Sequence, residues 1–128
     1  GLHPAILTEQ GLSRALDALA DRLPVTVAIE APEERLPAPV EATAYYIVSE
    51  ALTNVGRYAQ AQSAAVKVAR ENGQVVVEVR DDGCGGADPS AGSGLRGLVD
   101  RVEAVDGRLT IDSQAGAGTC LTAEFPCA

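Results

Sequence analysis

The sequence predicts an α/β (α+β) two-layer sandwich, in which about three helices cover one face of a mixed, mainly antiparallel sheet. Two observations carry this prediction. First, strand-like segments follow one another directly in two places, with short turns between them, which is typical of antiparallel hairpins. Second, segments with helical spacing of apolar residues separate these strands, in the order α-β-α-β-β-α-β-β.

The first half of the chain supplies two helices and one strand. Residues 8–22 carry leucine and alanine at helical spacing, with Thr8 as the expected N-cap, and Pro24 ends this helix. Residues 25–30 alternate like a strand, and a proline-rich loop follows them. The longest periodic segment covers about 40–59, where apolar residues fall on one face of a helix.

The second half of the chain adds two hairpins and one helix. Asn72-Gly73 joins the first pair of strands, and this dipeptide is a strong signal for a tight hairpin turn. A glycine-rich run joins the last pair. The predicted bounds are 63–71 and 74–82 for the first hairpin, 94–105 for the helix, and 108–114 and 119–126 for the second hairpin.

Composition indicates one ordered domain and excludes several classes of function. The 128 residues suit a single core, and 46% of them are hydrophobic. A net charge of −8 argues against a nucleic-acid surface, which needs a basic footprint. The 3 cysteines lack CxxC spacing, so we expect neither a disulfide framework nor a zinc site. This cysteine content fits a protein of the reducing cytoplasm. No apolar run approaches the roughly 20 residues of a membrane span.

Three segments carry candidate chemistry. Glu50 and Asn54 stand four residues apart on the long helix, so their oxygens can face one small volume, which suits magnesium. "DDGCGG" at 81–86 follows a strand, and its glycines let bare backbone approach a flat ligand. "GSGLRGL" at 92–98 leads into a helix, whose N-terminus attracts phosphate. Each segment alone is equally compatible with a solvated helix face, an acidic turn or a simple helix start.

In this order and spacing the three segments resemble the catalytic and ATP-binding domain of bacterial sensor histidine kinases, within the gyrase, Hsp90, kinase and MutL ATPase superfamily. "EALTNVGRYAQA" at 50–61 is similar to the N box, and the two glycine-containing segments are similar to the glycine boxes. Residues 107–126 resemble the closing hairpin. The resemblance implies the Bergerat ATP-binding fold and a single domain over 1–128, in which 1–7 remain from the linker to an upstream dimerisation hairpin.

The resemblance also implies roles for individual residues. Asn54 would coordinate magnesium, and Glu50 beside it would be the second catalytic and metal-positioning residue. Asp82 would receive the adenine amino group, and Thr119 would act near adenine through water. Residues 86–93 would form a short lid over ATP. The other implied nucleotide contacts are Arg57, Tyr58, Gly83, Gly85, Gly94, Leu95, Gly97 and Leu98.

The implied function is that of an ATP-dependent histidine protein kinase. The domain would bind Mg-ATP and donate the γ-phosphate to a histidine on a separate dimerisation domain, for relay to a response regulator of the NarL-like type. The parent would be a homodimer, and the domain itself would contact neither nucleic acid nor membrane. His3 precedes a proline, where the α conformation is disfavoured, so we do not expect it to be the phosphoacceptor.

Two alternatives to this function stay open at the level of sequence. One is a serine kinase of the anti-sigma-factor type, which has the same fold. The other is a non-catalytic module that binds nucleotide without transferring phosphate. One departure from the resembled pattern bears on activity: Tyr58 stands where the N box more often has histidine, and tyrosine carries no positive charge at neutral pH.

Overall fold

The computed structural model describes residues 4–55, 62–83, 95–113 and 118–127. Within these ranges, four α-helices and five strands follow one another along the chain. They are α1 (Ala5–Gln10), α2 (Leu12–Asp21), β1 (Thr26–Glu30), α3 (Ala38–Asn54), β2 (Ser63–Glu71), β3 (Gln74–Asp81), α4 (Leu95–Glu103), β4 (Arg108–Ser113) and β5 (Thr119–Pro126).

The five strands form one mixed sheet in the order β1-β2-β3-β5-β4. β1 runs parallel to β2 because α3 crosses over between them. The other neighbouring pairs, β2–β3, β3–β5 and β4–β5, are antiparallel. The turn between β2 and β3 has φ of 51° at Asn72 and 78° at Gly73, as a type I′ turn requires. The predicted two-layer sandwich with a mixed, mainly antiparallel sheet is therefore confirmed.

The core lies between the helices and one face of the sheet. Alternate residues of a strand point to the same face, and in β3 those that face the helices are buried valines. The apolar stripe predicted for the long helix is also buried throughout. Its members are Val40, Ala44, Ile47, Val48, Ala51, Leu52 and Val55. The continuation of that helix predicted over 56–59 lies outside the described residues.

The single helix predicted over 8–22 is wrong, because the structure has two helices there. Gly11 separates them with φ of 92° and ψ of 178°, a conformation that favours glycine and cannot continue an α-helix. Thr8 lies inside α1 and is not an N-cap, since Pro4 and Gly11 hold the N-cap positions of the two helices. A Cβ on Gly11 would lie 3.0 Å from Cδ of Arg35, so this arginine packs directly against the break.

Glu41, in the first turn of α3, is a charged side chain that is only 2% exposed. Its carboxylate accepts hydrogen bonds from Nε of Arg35 at 3.2 Å, from Nη2 of Arg35 at 3.0 Å and from the backbone N–H of Leu36 at 3.2 Å. Nη2 of Arg35 also donates to the carbonyl oxygen of Thr8 at 3.1 Å. The hydrogen bonds and the charge of Glu41 raise the pKa of Arg35. Arg35 therefore ties the end of α1 to the beginning of α3.

We expect Arg35→Met to lower the free energy of unfolding, because it leaves the buried carboxylate of Glu41 without its counter-charge. Adding Glu41→Met to this variant should recover part of the loss, since the stranded charge is then gone. Urea denaturation followed by circular dichroism measures both effects. Arg70→Met, at an exposed arginine of β2, is the control. Equal losses for Arg35→Met and Arg70→Met would contradict a structural role for the Arg35–Glu41 pair.

Candidate functional site

At one end of the sheet, the side that faces the helices changes from apolar to polar. After the buried Val79 of β3, Asp81 takes the next position on the same face. The register pairs Asp81 with Thr119 of β5, and Thr119 with Ser113 of β4. These three half-buried side chains form a polar row (Asp81, Thr119 and Ser113) across three adjacent strands.

The polar row combines one carboxylate with two hydroxyls. Oγ of Ser113 and Oγ1 of Thr119 lie 2.7 Å apart and share a hydrogen bond. Oδ1 of Asp81 accepts the backbone N–H of Gly83 at 2.8 Å, a local bond that aspartate often makes at turns. Within the described part of the chain, no donor bonds to Oδ2 of Asp81, so this oxygen can accept a hydrogen from a ligand.

Gly118 makes the polar row possible by letting β5 begin directly beside the end of β3. Its φ is 76°, and a Cβ at this position would overlap the backbone carbonyl oxygen of Asp81. Any other residue would therefore have to push the two strands apart. This close approach places Thr119 opposite Asp81.

Asp82, the predicted acceptor for the adenine amine, is engaged in a different way. Oδ1 accepts the backbone N–H groups of Gln62 at 2.9 Å and Ser63 at 3.0 Å, and Oδ2 accepts the Ser63 hydroxyl at 2.8 Å. The hydrogen bonds from the backbone and the hydroxyl of Ser63 contribute most to holding the pKa of Asp82 below its usual value. The hydrogen bond from the backbone of Gln62 contributes less. The exposed carboxylate of Asp82 thus fastens the start of β2, and Asp81 is better placed to meet a ligand on the helix-facing side.

Glu50 and Asn54 lie one turn apart at the C-terminal end of α3, and both are half-buried. Nδ2 of Asn54 is buried and has no hydrogen-bond partner in the described part of the chain. Buried amides are normally hydrogen-bonded, so an unpartnered one indicates a place for a ligand or water.

The residues predicted on α4 divide into two kinds. Leu95 and Leu98 are core residues with 4% and 0% exposure, so only their backbone could meet a phosphate. Gly97 is exposed in the first turn of α4, and a Cβ there would meet open space. The other predicted contacts, together with the predicted lid, lie outside the described residues: Arg57, Tyr58, Gly85, Gly94 and all of 86–93.

The prediction from sequence left out Asp81 and Ser113 as site residues. The alternation of β3 could have placed Asp81, since it is two residues beyond a core valine. Ser113 could be found only from the register between β4 and β5.

Across 4–55, 62–83, 95–113 and 118–127, no group of three or more His, Cys, Asp and Glu side chains could hold a metal ion. In the same ranges, none of the helices has the length and apolar character that crossing a membrane requires.

Comparison with known proteins gives a consistent family assignment. Residues 40–128 match the family model described as "Histidine kinase-, DNA gyrase B-, and HSP90-like ATPase". The chain is 36% identical over 137 aligned positions to the sensor histidine kinase MctS of Rhizobium johnstonii, covering 98% of this chain and 30% of that protein. It is 40% identical over 91 positions to the oxygen sensor histidine kinase NreB of Staphylococcus carnosus, covering 68% and 26%. The chain thus spans less than a third of either relative's length.

Solved structures with the same fold include two histidine kinases. The blue-light activated histidine kinase of Erythrobacter litoralis EL346 superposes with a TM-score of 0.80 at 22% identity, over 95% of this chain and 45% of that one. Histidine kinase AdeS of Acinetobacter baumannii superposes with a TM-score of 0.68 at 14% identity, over 96% and 64%. At these identities the likeness shows the fold alone, and it confirms the predicted architecture.

We expect Gly118→Ala to lower the free energy of unfolding by about 3 kcal/mol, because a positive φ and a clash with the Asp81 carbonyl add up. Gly73→Ala is the matched control: its φ is 78°, but a Cβ there meets nothing within 4 Å. It should lower the free energy of unfolding by about 1 kcal/mol. Urea denaturation measures both, and equal losses would mean that the close approach at Gly118 contributes nothing.

The hydrogen bonds to Asp82 also predict a pH dependence of stability. The folded pKa lies below the unfolded value of about 3.9, so these bonds stabilise the fold above that value. The stabilisation disappears as the pH falls through about 3.9 toward the folded pKa. Asp82→Asn should therefore lower Tm at pH 7, and the difference from wild type should shrink below about pH 4.

The measurement is a series of thermal melts between neutral and acid pH. Asp17→Asn, at an exposed position of α2, is the control, and the difference in Tm between it and wild type should not shrink below about pH 4 in the same way. A difference for Asp82→Asn that stays constant down to acid pH would contradict the assigned hydrogen bonds.

Proposed function

Because the chain belongs to the histidine kinase-, DNA gyrase B- and HSP90-like ATPase family, we propose that it binds Mg-ATP and donates the γ-phosphate to a histidine of a separate dimerisation domain. The phosphohistidine then passes its phosphate to a response regulator, of the NarL-like type that the sequence resemblance implies. The observation that carries the proposal is the polar row at the sheet end, where the Asp81 carboxylate faces the helices and one of its oxygens accepts no hydrogen bond from the described residues. The similarity to sensor histidine kinases supports a histidine as acceptor in preference to a serine.

The purine is held at the polar row in this proposal. Oδ2 of Asp81 accepts a hydrogen from the 6-amino group of adenine, while Thr119 lies beside it in the next strand. A carboxylate accepts hydrogen bonds and donates none, so it favours the amino group of adenine over the 6-oxo group of guanine. Gly83, two residues after Asp81, presents backbone without a side chain to the base. Asp82 remains the competing candidate that the sequence resemblance implied.

The residues at the end of α3 fit a magnesium ion. Glu50 supplies a carboxylate oxygen and Asn54 an amide oxygen, while the buried Nδ2 of Asn54, unpartnered in the described part of the protein, is a hydrogen-bond donor and not a metal ligand. Oxygen donors of this kind suit magnesium, which takes its other ligands from water and phosphate. Bound magnesium would offset the charge of the triphosphate, and such an offset is needed because the chain carries a net charge of −8.

Phosphoryl transfer needs mainly positioning and charge stabilisation from a protein. The chain supplies positioning at two points: the polar row holds the base, and the exposed backbone around Gly97 in the first turn of α4 meets the phosphates. Leu95 and Leu98 keep α4 in place from the core side. Arg101 of α4 also stacks on the ring of Tyr46 in α3, 4.1 Å from its centroid, which fixes the two helices together. The γ-phosphate then stays accessible to a histidine from another domain.

Two matched substitutions at neighbouring aspartates test the base site. Asp81→Asn should weaken binding of Mg-ATP roughly 10- to 100-fold, because a hydrogen bond to a charged acceptor is lost. Asp82→Asn should change the affinity by less than about threefold, since its carboxylate serves β2. Isothermal titration calorimetry at 10 °C measures both, and circular dichroism confirms that each variant is folded. The opposite ranking would restore Asp82 as the adenine acceptor, and no binding by the wild type would overturn the proposed function.

The transfer step is tested with labelled ATP. Wild type is mixed with [γ-32P]ATP and with the dimerisation domain of a similar kinase, and base-stable, acid-labile label should appear on that domain. The chain alone should not label itself. Acid-stable label on a serine-containing substrate would favour the serine kinase instead, and nucleotide binding without any transfer would favour the non-catalytic module.

A further inference from the structure

Ser113 is a polar residue that no predicted role accounts for. It is the last residue of β4, its Oγ lies 2.7 Å from Oγ1 of Thr119, and Thr119 in turn lies opposite Asp81. We propose that Ser113 is a positioning residue that directs the hydroxyl proton of Thr119 toward the base, and so contributes to selection of adenine. The inference rests on the proposed function, because it concerns the same nucleotide site.

The argument starts from the single proton of a hydroxyl group. A hydroxyl donates one hydrogen bond and accepts two. If Ser113 donates to Thr119, the proton of Thr119 stays available to a ligand. If Thr119 donates to Ser113, only lone pairs of Thr119 remain for the ligand. The 2.7 Å contact therefore couples the polarity of the Thr119 hydroxyl to Ser113.

The base that fits depends on this polarity. Adenine presents a donor, its 6-amino group, next to an acceptor, N1. Asp81 supplies the acceptor for the amino group, and the position beside it must then supply a donor that bonds N1 directly. Guanine and hypoxanthine present the reverse order, a 6-oxo acceptor next to an N1–H donor. Thr119 complements adenine only when Ser113 is the donor in the Ser113–Thr119 pair.

A purely structural role makes a different prediction. Cross-strand pairs of serine and threonine hydrogen-bond in many sheets and stabilise them modestly. Ser113 and Thr119 are the last aligned pair of the β4–β5 ladder, so their bond could serve only to close the hairpin. In that case, loss of the Ser113 hydroxyl would weaken binding of every nucleotide alike, or of none. A positioning role changes the preference between bases.

The experiment compares ADP with inosine diphosphate, which carries the 6-oxo group and the N1–H of hypoxanthine. Isothermal titration calorimetry with magnesium gives Kd for each nucleotide. Ser113→Ala should lower the preference for ADP over inosine diphosphate by about fivefold, mainly through weaker binding of ADP. Ser113→Thr keeps a hydroxyl and should restore the preference. Ser113→Cys keeps the size but donates weakly, so it should give an intermediate preference and a second reading if Ser113→Ala folds poorly.

Thr110→Val is the matched control. Thr110 lies in the same strand, pairs with Thr122 of β5 and is exposed on the opposite face of the sheet, so its replacement should leave the preference unchanged. A preference that Ser113→Ala leaves unchanged, with ADP binding intact or with both affinities lowered equally, would overturn the inference while the proposed function stands. Failure of the wild type to bind either nucleotide would overturn both.

Discussion

The close passage of Gly118 past the end of β3 is the constraint on which the candidate site depends. It allows β5 to begin beside Asp81 and fixes the register of the two strands from their first aligned pair. Because side chains alternate between faces, a slip of one residue would turn Thr119 to the outer face of the sheet. The polar row is therefore a consequence of backbone geometry at one glycine, and its chemistry depends on the apolar alternation that continues along β3 and β5 into the core.

Helix α3 separates structural and functional duties between its two ends. Glu41, near the beginning, is buried and connects the helix to α1 through the half-exposed Arg35, whereas Asn54 at the end has a buried amide nitrogen without a partner in the described part of the chain. These two residues lie about 20 Å apart along the helix axis. A buried charge needs complete hydrogen bonding to be tolerated, while a binding site needs groups that are incompletely bonded. Distance along one helix lets the chain satisfy both requirements.

Much of the fold could be predicted from local patterns, because those patterns are set by the residues themselves. Alternation and the Asn72-Gly73 turn predicted the bounds of the hairpins to within about two residues. The break at Gly11 could not be predicted, since the residue that packs against it, Arg35, lies far along the chain. An amphipathic run with a glycine inside it is equally compatible with a continuous helix. Only the tertiary contact decides between them.

The candidate site shows the same division between local and distant causes. The nucleotide chemistry that we propose was predicted from the motifs, in which carboxylate, amide and glycine residues occur at the spacing of the resembled family. The choice between Asp81 and Asp82 was not, because it depends on Gln62 and Ser63, whose donors engage Asp82 from the neighbouring strand. The role inferred for Ser113 likewise depends on cross-strand register, which a linear motif does not contain.

A crystal structure of the chain with Mg-ADP tests the central claim most directly. The account predicts that the adenine 6-amino nitrogen lies about 3 Å from a carboxylate oxygen of Asp81, with the Thr119 hydroxyl donating directly to N1. Asp82 should keep its bonds to the start of β2. A base that rests against Asp82, or that binds away from the helix-facing side of the sheet, would contradict the account.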